Sequence, residues 1–585
     1  MPNSDSVVTD SLRASLSYEP QVLRFGTSGR RGEVIHLTQL EIYINALAEL
    51  EYLQSLSVTD GGIRTGEEFY YASDLRPSSS QFVAEQGGRG EIAQAIEAAI
   101  SDAGMKPVNL GKLPTPALTY FALQRGKGSM MITGSHIPFE RNGYKTNSAK
   151  GELLKKDEAP INARVEEVRA RIYAQSFSES IFDATGSLKG GSRNLSPECG
   201  EAAETYIRRY TDFFAGQTLK GLRLLAYQHS AVGRDMLVEI LSRLGAQVIP
   251  AGRSEIFVPI DTEAIDAPQL ATIQSLAEQT WSQHGRLDAV VSTDGDSDRP
   301  LILAVDATPN GAAPCRVRFF GGDLVGMVVA ELLGADAVVV PISCNDAVDR
   351  GVLKDIVEPK TRIGSPFVIA GMDRARSNGK QLVCGWEANG GFLTGSDIIR
   401  NGQTLKALPT RDAILPLLGV LFAAASKGMS VSAIFDGLPR RFSKASLLRN
   451  FPRPASLRIV QRFTPSNAAI ADVLFDDTNI TLLDAQGQKL PANPKSVESM
   501  REIRRALSGF FTTADGFGKV SRMNYIDGVR IYFANGDVAH VRPSGNADEL
   551  RIYVVADSQV RADAIAAMGV AEPDGILRKL ETATA

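Results

Sequence analysis

The stretch Leu222-Arg223-Leu224-Leu225-Ala226-Tyr227-Gln228-His229-Ser230, followed by a helical pattern over 234–244, decides the fold class. An apolar strand runs into a short polar loop. A helix follows, Gly245 stops it, and residues 247–250 resume a strand. A further strand over 287–292 runs into Asp294-Gly295-Asp296. Strands alternating with helices at this spacing build βαβ units and parallel-rich sheets.

The same grammar occurs on either side. Upstream, a strand at 69–73 ends in Ser73-Asp74-Leu75-Arg76-Pro77, a helical pattern runs through Ile100, and a strand at 129–133 ends in Gly134-Ser135-His136. Downstream, the pattern predicts a strand at 337–342, a helix at 346–353, and a strand at 381–384 entering Gly385-Trp386-Glu387. From about Pro494 the character changes. Asp527-Gly528 and Asn535-Gly536 separate short alternating strands such as 529–533, which reads as an antiparallel meander. The fold expected is three α/β domains (1–195, 196–312, 313–448) and one C-terminal α+β domain (449–585), with a linker at 448–456. The first eighteen residues carry five serines and no apolar period, so they are expected to fray.

Composition narrows the function. The chain has 585 residues, with 63 Lys plus Arg against 67 Asp plus Glu, a net charge of −4. That balance argues against a general nucleic-acid binder. No apolar stretch reaches the ~18 residues of a membrane span, the longest candidate being a buried helix near 414–425. The N-terminal residues have no apolar signal core, and Cys199, Cys315, Cys344 and Cys384 are scattered with no C-x-x-C pair. A cytoplasmic, multi-domain enzyme or binder is expected. Walker A and G-x-G-x-x-G boxes are both absent from the sequence.

Ligands of open α/β sheets sit at the carboxyl ends of strands, so the loops there hold the candidates. In Asp294-Gly295-Asp296-Ser297-Asp298-Arg299, carboxylates at alternate positions of a tight loop converge on a hard cation such as Mg²⁺ or Ca²⁺. An EF-hand fails, because Arg299 and Val305 stand where Gly and Glu are required. A solvated acidic turn is the bland alternative. Ser135, beside His136 and ten residues before Lys145, reads as a nucleophile or phosphate carrier, or as an ordinary capping serine. His136 is expected to point away from Ser135. Glu387 and Asn389, in a loop with Gly385, Gly390 and Gly391, suit sugar hydroxyls. Arg542-Pro543-Ser544-Gly545-Asn546 suits a phosphate or is a hairpin turn, and Gly26-Thr27-Ser28-Gly29-Arg30-Arg31-Gly32 is a second basic, donor-rich loop.

Taken together, and in this order, the loops resemble those of the α-D-phosphohexomutases from Phe25 to about Ala556. The family's serine loop corresponds to residues 133–145, with Ile137 in place of Asn, and its D-G-D-x-D-R loop is matched in full by residues 294–299. The resemblance implies four domains around a central cleft and a phosphoryl group carried by Ser135. It implies one Mg²⁺ held by Asp294, Asp296, Asp298 and the phosphoserine, with glucose or mannose 1,6-bisphosphate as activator. Lys145, Arg31 and His136 are the implied catalytic groups. Arg299, Gly364, Glu387, Asn389, Arg542, Ser544, Gly545 and Asn546 are the implied substrate-binding residues. Hexose phosphates are the expected partners, with neither nucleic acid nor membrane, for a monomer or homodimer. Three departures bear on the sugar: Trp386 before Glu387 with Asn389 in place of Ser, Ser365 in place of a His, and Gly545-Asn546-Ala547 in the phosphate loop. A phosphomannomutase is favoured over a phosphoglucomutase or dual-specificity enzyme. A phosphoglucosamine mutase fits the sugar loop less well. A Mg²⁺-dependent sugar phosphatase and a non-catalytic sugar-phosphate sensor are the readings from other classes.

Overall fold

A computed structural model describes residues 10–26, 28–263, 265–308, 313–476, 479–545 and 548–583. The chain forms two compact units, Met1–Phe319 with Gly391–Val431, and Phe320–Gly390 with Ser432–Ala585.

The first unit holds two mixed sheets. One runs in the order Arg30–Glu33, Arg141–Ser148, Ser129–Ile132, Glu68–Ser73, Lys106–Lys112. Its last three strands are mutually parallel and its first two are antiparallel additions. The helix Gln39–Ser55 is buried along most of its length, carrying two charges into the core. Glu49 pairs with Arg30 at 2.6 Å and Glu41 with Arg169 at 2.6 Å, as buried charges must. The second sheet runs Gln247–Arg253, Arg223–His229, Ala289–Thr293, Pro300–Ala307, Cys315–Phe319, parallel across the first three strands and antiparallel thereafter. Phe392–Thr394 pairs antiparallel with Leu408–Asp412, which leads into the buried helix Ile414–Lys427.

In the second unit Ala337–Val339 lies parallel to Val383–Trp386. The expected helix at 346–353 is instead two 3₁₀ turns, Asp346–Asp349 and Gly351–Ile356, interrupted by Gly351 in the left-handed region. A seven-stranded antiparallel sheet follows, in the order Phe442–Arg449, Glu549–Ala556, Val538–Pro543, Val529–Phe533, Val520–Asn524, Asp472–Phe475, Ile480–Leu483. The expected linker is therefore structured. Leu448 lies in the strand Phe442–Arg449, Phe451 is fully buried, and Arg453 opens the helix Arg453–Arg462. Apolar Leu448 and Phe451 belong to the core that the neighbouring Pro and Arg residues obscure in sequence.

The N-terminus also differs from expectation. Met1–Thr9 lie outside the described residues, but Leu12–Ser15 is a helical turn capped by Ser11, and Leu12 is buried. Buried Leu12 and backbone bonds from Leu12 N–H to Gln175 O, Phe177 N–H to Asp10 O and Ser17 N–H to Ala184 O tie the segment down.

Candidate active site

In the first unit, two strand ends meet. Ser129–Ile132 delivers Thr133-Gly134-Ser135, and Ala289–Thr293 delivers the loop 294–299. The acidic loop closes on itself. Asp294 N–H donates to Arg299 O, and the Asp298 and Arg299 N–H groups both donate to Asp294 Oδ1 at 3.1 Å. Ser297 takes the left-handed conformation that turns the chain back. Gly295 is required here, since a Cβ would stand 2.8 Å from Ser135 O.

Ser135 is fully buried with φ of 54°, and its Oγ donates to Asp294 Oδ2 at 2.8 Å. Its N–H donates to Thr133 Oγ1 at 2.7 Å. The expectation that His136 points away is not met: its Nδ1 lies 3.3 Å from Ser135 Oγ. Left-handed backbone at Ser135 removes the strand-like alternation that would have separated the two side chains.

Asp74 and Arg76, which carry no motif of their own in the sequence, hold this loop in place. Asp74 Oδ2 accepts from Thr133 Oγ1 at 2.8 Å and Gly134 N–H at 3.3 Å. The Arg76 guanidinium donates to the carbonyls of Pro138, Arg141, Ser135 and Ile137, and stacks 3.9 Å from the Phe257 ring centroid. Six residues of the serine loop and its return strand thus hang on two side chains. Burial lowers the Arg76 pKa to about 10, with Asp74 acting against the shift.

Asp294, Asp296 and Asp298 are fully buried, with one oxygen from each within 4.8 Å of the others. Lys145 Nζ bridges Asp296 Oδ2 at 2.7 Å and Asp298 Oδ2 at 2.8 Å. Thr115 Oγ1 donates to Asp296 Oδ2 at 2.6 Å. Arg299 Nε lies 3.6 Å from Asp298 Oδ1. Burial, with Asp296 and Asp298 beside it, pushes the Asp294 carboxyl well above the ordinary range. Burial opposes ionisation of Asp298 as well, but Arg411, Lys145 and Arg299 outweigh it and hold that group well below. Arg31 joins the cluster electrostatically. Burial lowers its pKa to about 10, opposed by Asp296. Its neighbour Arg30, on the other face of the strand, is spent on Glu49.

The donor set fits a hard divalent cation. It is all oxygen, it is buried, and Asp296 Oδ1 and Asp298 Oδ1 are buried without a hydrogen-bond partner. Three carboxylates this close require positive charge to remain ionised. The structure therefore gathers Ser135, His136, Lys145, Arg31, Asp294, Asp296, Asp298 and Arg299 into one place. It also brings Arg411, from the strand Leu408–Asp412, which sequence reasoning missed. No motif surrounds Arg411, so no local signal marks it.

The other predicted residues lie in the second unit. Trp386 ends a strand, is fully buried and lies flush on Gly326 of the helix Gly322–Leu333, which fixes the start of the loop bearing Glu387 and Asn389. Both residues are buried. Gly364 precedes the helix Ser365–Ser377 with φ of 128°. Asp527 connects this turn with Arg542: Oδ2 accepts from Ile363 N–H at 3.0 Å and Oδ1 from Arg542 Nε at 2.9 Å. Ser544 N–H donates to Glu549 O, and Gly545 O accepts from Arg453 at 3.3 Å. Asn546 lies outside the described residues.

Models of the phosphoglucomutase/phosphomannomutase α/β/α domain I, α/β/α domain III and C-terminal domain match residues 22–171, 321–442 and 488–572. The chain is 36% identical over 548 residues to a phosphomannomutase of Sinorhizobium fredii (strain NBRC 101917 / NGR234), covering 94% of this chain and 98% of that one. The chain belongs to the phosphoglucomutase/phosphomannomutase family. A phosphomannomutase of Salmonella muenchen is 35% identical, with 92% of each chain covered. The mutase also shares its fold with a phosphoglucomutase/phosphomannomutase family protein from Burkholderia thailandensis, at 17% identity and a TM-score of 0.61, over 96% of this chain and 98% of that one. It has the family's four-domain architecture, with mixed sheets and an antiparallel C-terminal sheet, and is a phosphohexomutase, an isomerase. No helix among the described residues is long and apolar enough to cross a membrane.

Proposed function

We propose that the mutase interconverts hexose 6-phosphate and hexose 1-phosphate, with mannose preferred, through a phosphoryl group carried on Ser135. The observation that carries this reading is Ser135 Oγ, fully buried and 2.8 Å from Asp294 Oδ2, beside a carboxylate set in which Asp296 Oδ1 and Asp298 Oδ1 accept no hydrogen bond. Mannose rests on the phosphomannomutase relatives at 36% and 35% identity.

Asp294, Asp296, Asp298 and the phosphorylated Ser135 would hold one Mg²⁺, which when bound neutralises charge on the transferring phosphoryl group. The chain's own residues do the rest. In the first half-reaction, the bond between phosphorus and Ser135 Oγ breaks as the O1 or O6 hydroxyl of the sugar phosphate bonds to phosphorus. The hydroxyl gives up its proton, Ser135 Oγ takes one, and a 1,6-bisphosphate results. In the second, the other phosphate of that bisphosphate returns to Ser135. Such a transfer depends on alignment and charge rather than covalent help. Arg299 and Arg31 supply fixed positive charge near the transferring group. His136 Nδ1, 3.3 Å from Ser135 Oγ, is placed to exchange a proton there. Lys145 already spends two hydrogen bonds on Asp296 and Asp298, which suits charge balance before proton transfer. Glu387 and Asn389 would read the sugar hydroxyls. Arg542, with Ser544, Gly545 and Asn546, would grip the phosphate that does not react, and Gly364 would line the same site. A 1,6-bisphosphate of glucose or mannose would prime the serine.

The test is a ³¹P NMR time course with full-length protein, Mg²⁺ and a trace of glucose 1,6-bisphosphate. Mannose 1-phosphate and glucose 1-phosphate are offered together at equal concentration. Faster growth of mannose 6-phosphate is the expected result. Faster glucose conversion overturns the sugar preference, and accumulation of inorganic phosphate in place of 6-phosphates overturns the mutase mechanism in favour of a phosphatase.

A further inference from the structure

Three of the N–H groups around the acidic loop converge on a single oxygen. Asp298 Oδ2 accepts from Arg411 Nε at 3.0 Å, Arg411 Nη2 at 2.8 Å and Lys145 Nζ at 2.8 Å, while Oδ1 has no hydrogen bond. Asp296 repeats the pattern. Its Oδ2 accepts from Lys145 and Thr115, and its Oδ1 has no hydrogen bond. Each carboxylate is therefore hydrogen-bonded along one edge only, and Asp298 Oδ1 has Arg299 Nε at 3.6 Å, beyond hydrogen-bond range. A carboxylate left to itself rotates about its terminal torsion, because that torsion is broad. Fixed donors on one oxygen remove this freedom and leave the second oxygen as the remaining acceptor.

Arg411 is itself rigidly placed. It is 3% exposed, and the residues on either side are anchored. Thr410 Oγ1 donates to Glu152 at 2.6 Å, and Asp412 accepts from the Tyr206 hydroxyl at 2.7 Å. Its aliphatic stem passes over Gly391, where a Cβ would stand 2.4 Å from Arg411 Cδ. Only glycine leaves that path open.

We propose that Arg411 is a positioning residue for the divalent-cation site, fixing Asp298 so that Oδ1 faces the ion. This rests on the reading of Asp294, Asp296 and Asp298 as the cation ligands. The opposite expectation is equally definite: if Arg411 only competed with the ion for Asp298, removing it would tighten binding.

The experiment measures Mn²⁺ affinity of the full chain by loss of the free-ion EPR signal, without substrate, for wild type, Arg411→Met, Arg411→Lys, Gly391→Ala and Asp296→Asn. Outer-shell partners of metal ligands are worth about 10- to 100-fold in affinity, so Arg411→Met should weaken Mn²⁺ binding by that factor. Gly391→Ala should weaken it in the same direction, and Arg411→Lys, with one nitrogen in place of a fork, should fall between wild type and Met. Unchanged or tighter Mn²⁺ binding by Arg411→Met, with Asp296→Asn weakened, overturns the inference alone. Wild type binding no better than Asp296→Asn overturns the cation reading beneath it. If circular dichroism finds Arg411→Met unfolded, Arg411→Lys decides: a loss of about threefold or more, below the ~10-fold of full removal because one donor remains, supports the inference, and none overturns it.

Discussion

Ser135 Oγ and Asp294 Oδ2 stand 2.8 Å apart although 159 residues separate them in the chain. The contact joins the carboxyl ends of strands from two different sheets, and Gly295 makes it possible by letting Ser135 O approach the acidic loop.

Replacing the serine tests what that contact is for. On the proposed mechanism, which has no second phosphoryl carrier, Ser135→Ala should reduce mutase turnover by at least ~10³-fold while sugar-phosphate binding stays within a fewfold. Turnover is read by ³¹P NMR and binding by calorimetry. Full activity in the variant would sink the phosphoserine assignment.

Thr115 gives a gentler probe of the acidic loop. Its Oγ1 donates to Asp296 Oδ2 at 2.6 Å, so Thr115→Val keeps the shape and removes the bond. About tenfold weaker activation by Mg²⁺ is expected, with saturating activity less affected. An unchanged activation curve would mean that Lys145 alone fixes Asp296.

Arg76 makes a stability prediction. It is 2% exposed and holds four carbonyls beside its ion pair with Asp74. Arg76→Met leaves those acceptors and Asp74 without their partner, which should cost about 3–5 kcal/mol in urea unfolding. A loss under ~1 kcal/mol, the scale of a surface pair, would mean the serine loop is held by other contacts.

Two histidines predict acid sensitivity. His540 donates through Nε2 to Asp527 O at 2.5 Å and His229 through Nε2 to Thr293 O at 2.8 Å, and each Nδ1 is buried with no acceptor for a second proton. Burial lowers their pKa values to about 3 and about 4. An unfolded histidine titrates near ~6.5, so the unfolded chain binds protons first. The stability these groups contribute is complete above ~6.5 and drains away as the pH falls toward those depressed values, at about 1.4 kcal/mol per pH unit for each. His540→Gln should be less stable at pH 8 but lose less on acidification, so that its gap to wild type narrows. Urea melts at pH 8, 6 and 5 check this, and a constant gap would contradict it.

The proposed phosphate grip divides into two testable parts. Arg542→Met should raise KM for the sugar phosphate by about 10- to 100-fold, the worth of ~1.5–3 kcal/mol for a charged hydrogen bond. Asp527→Asn, which weakens the hold on Arg542 Nε and Ile363 N–H, should raise KM less and leave kcat nearly unchanged. A fall in kcat at constant KM would place Asp527 in the chemical step instead.

Strand-helix alternation was legible, because apolar period and glycine stops are local: strand 529–533 and the buried helix opening at Ile414 match their patterns. Two places were not. The linker expected at 448–456 is core, since Pro and Arg mask the burial of Leu448 and Phe451. The segment 346–353 is 3₁₀, since the left-handed Gly351 interrupts a helical pattern of side chains. The serine and acidic loops were legible because their chemistry is packed into a few consecutive residues. What those residues are held by was not. Thr115, Arg76 and Arg411 reach Asp296, the serine loop and Asp298 from other strands and helices. Sequence by itself determined which groups could carry a phosphoryl and a cation. Only the tertiary structure decided which edge of each carboxylate takes the hydrogen bonds, because that depends on donors brought from far along the chain, at positions no local spacing specifies.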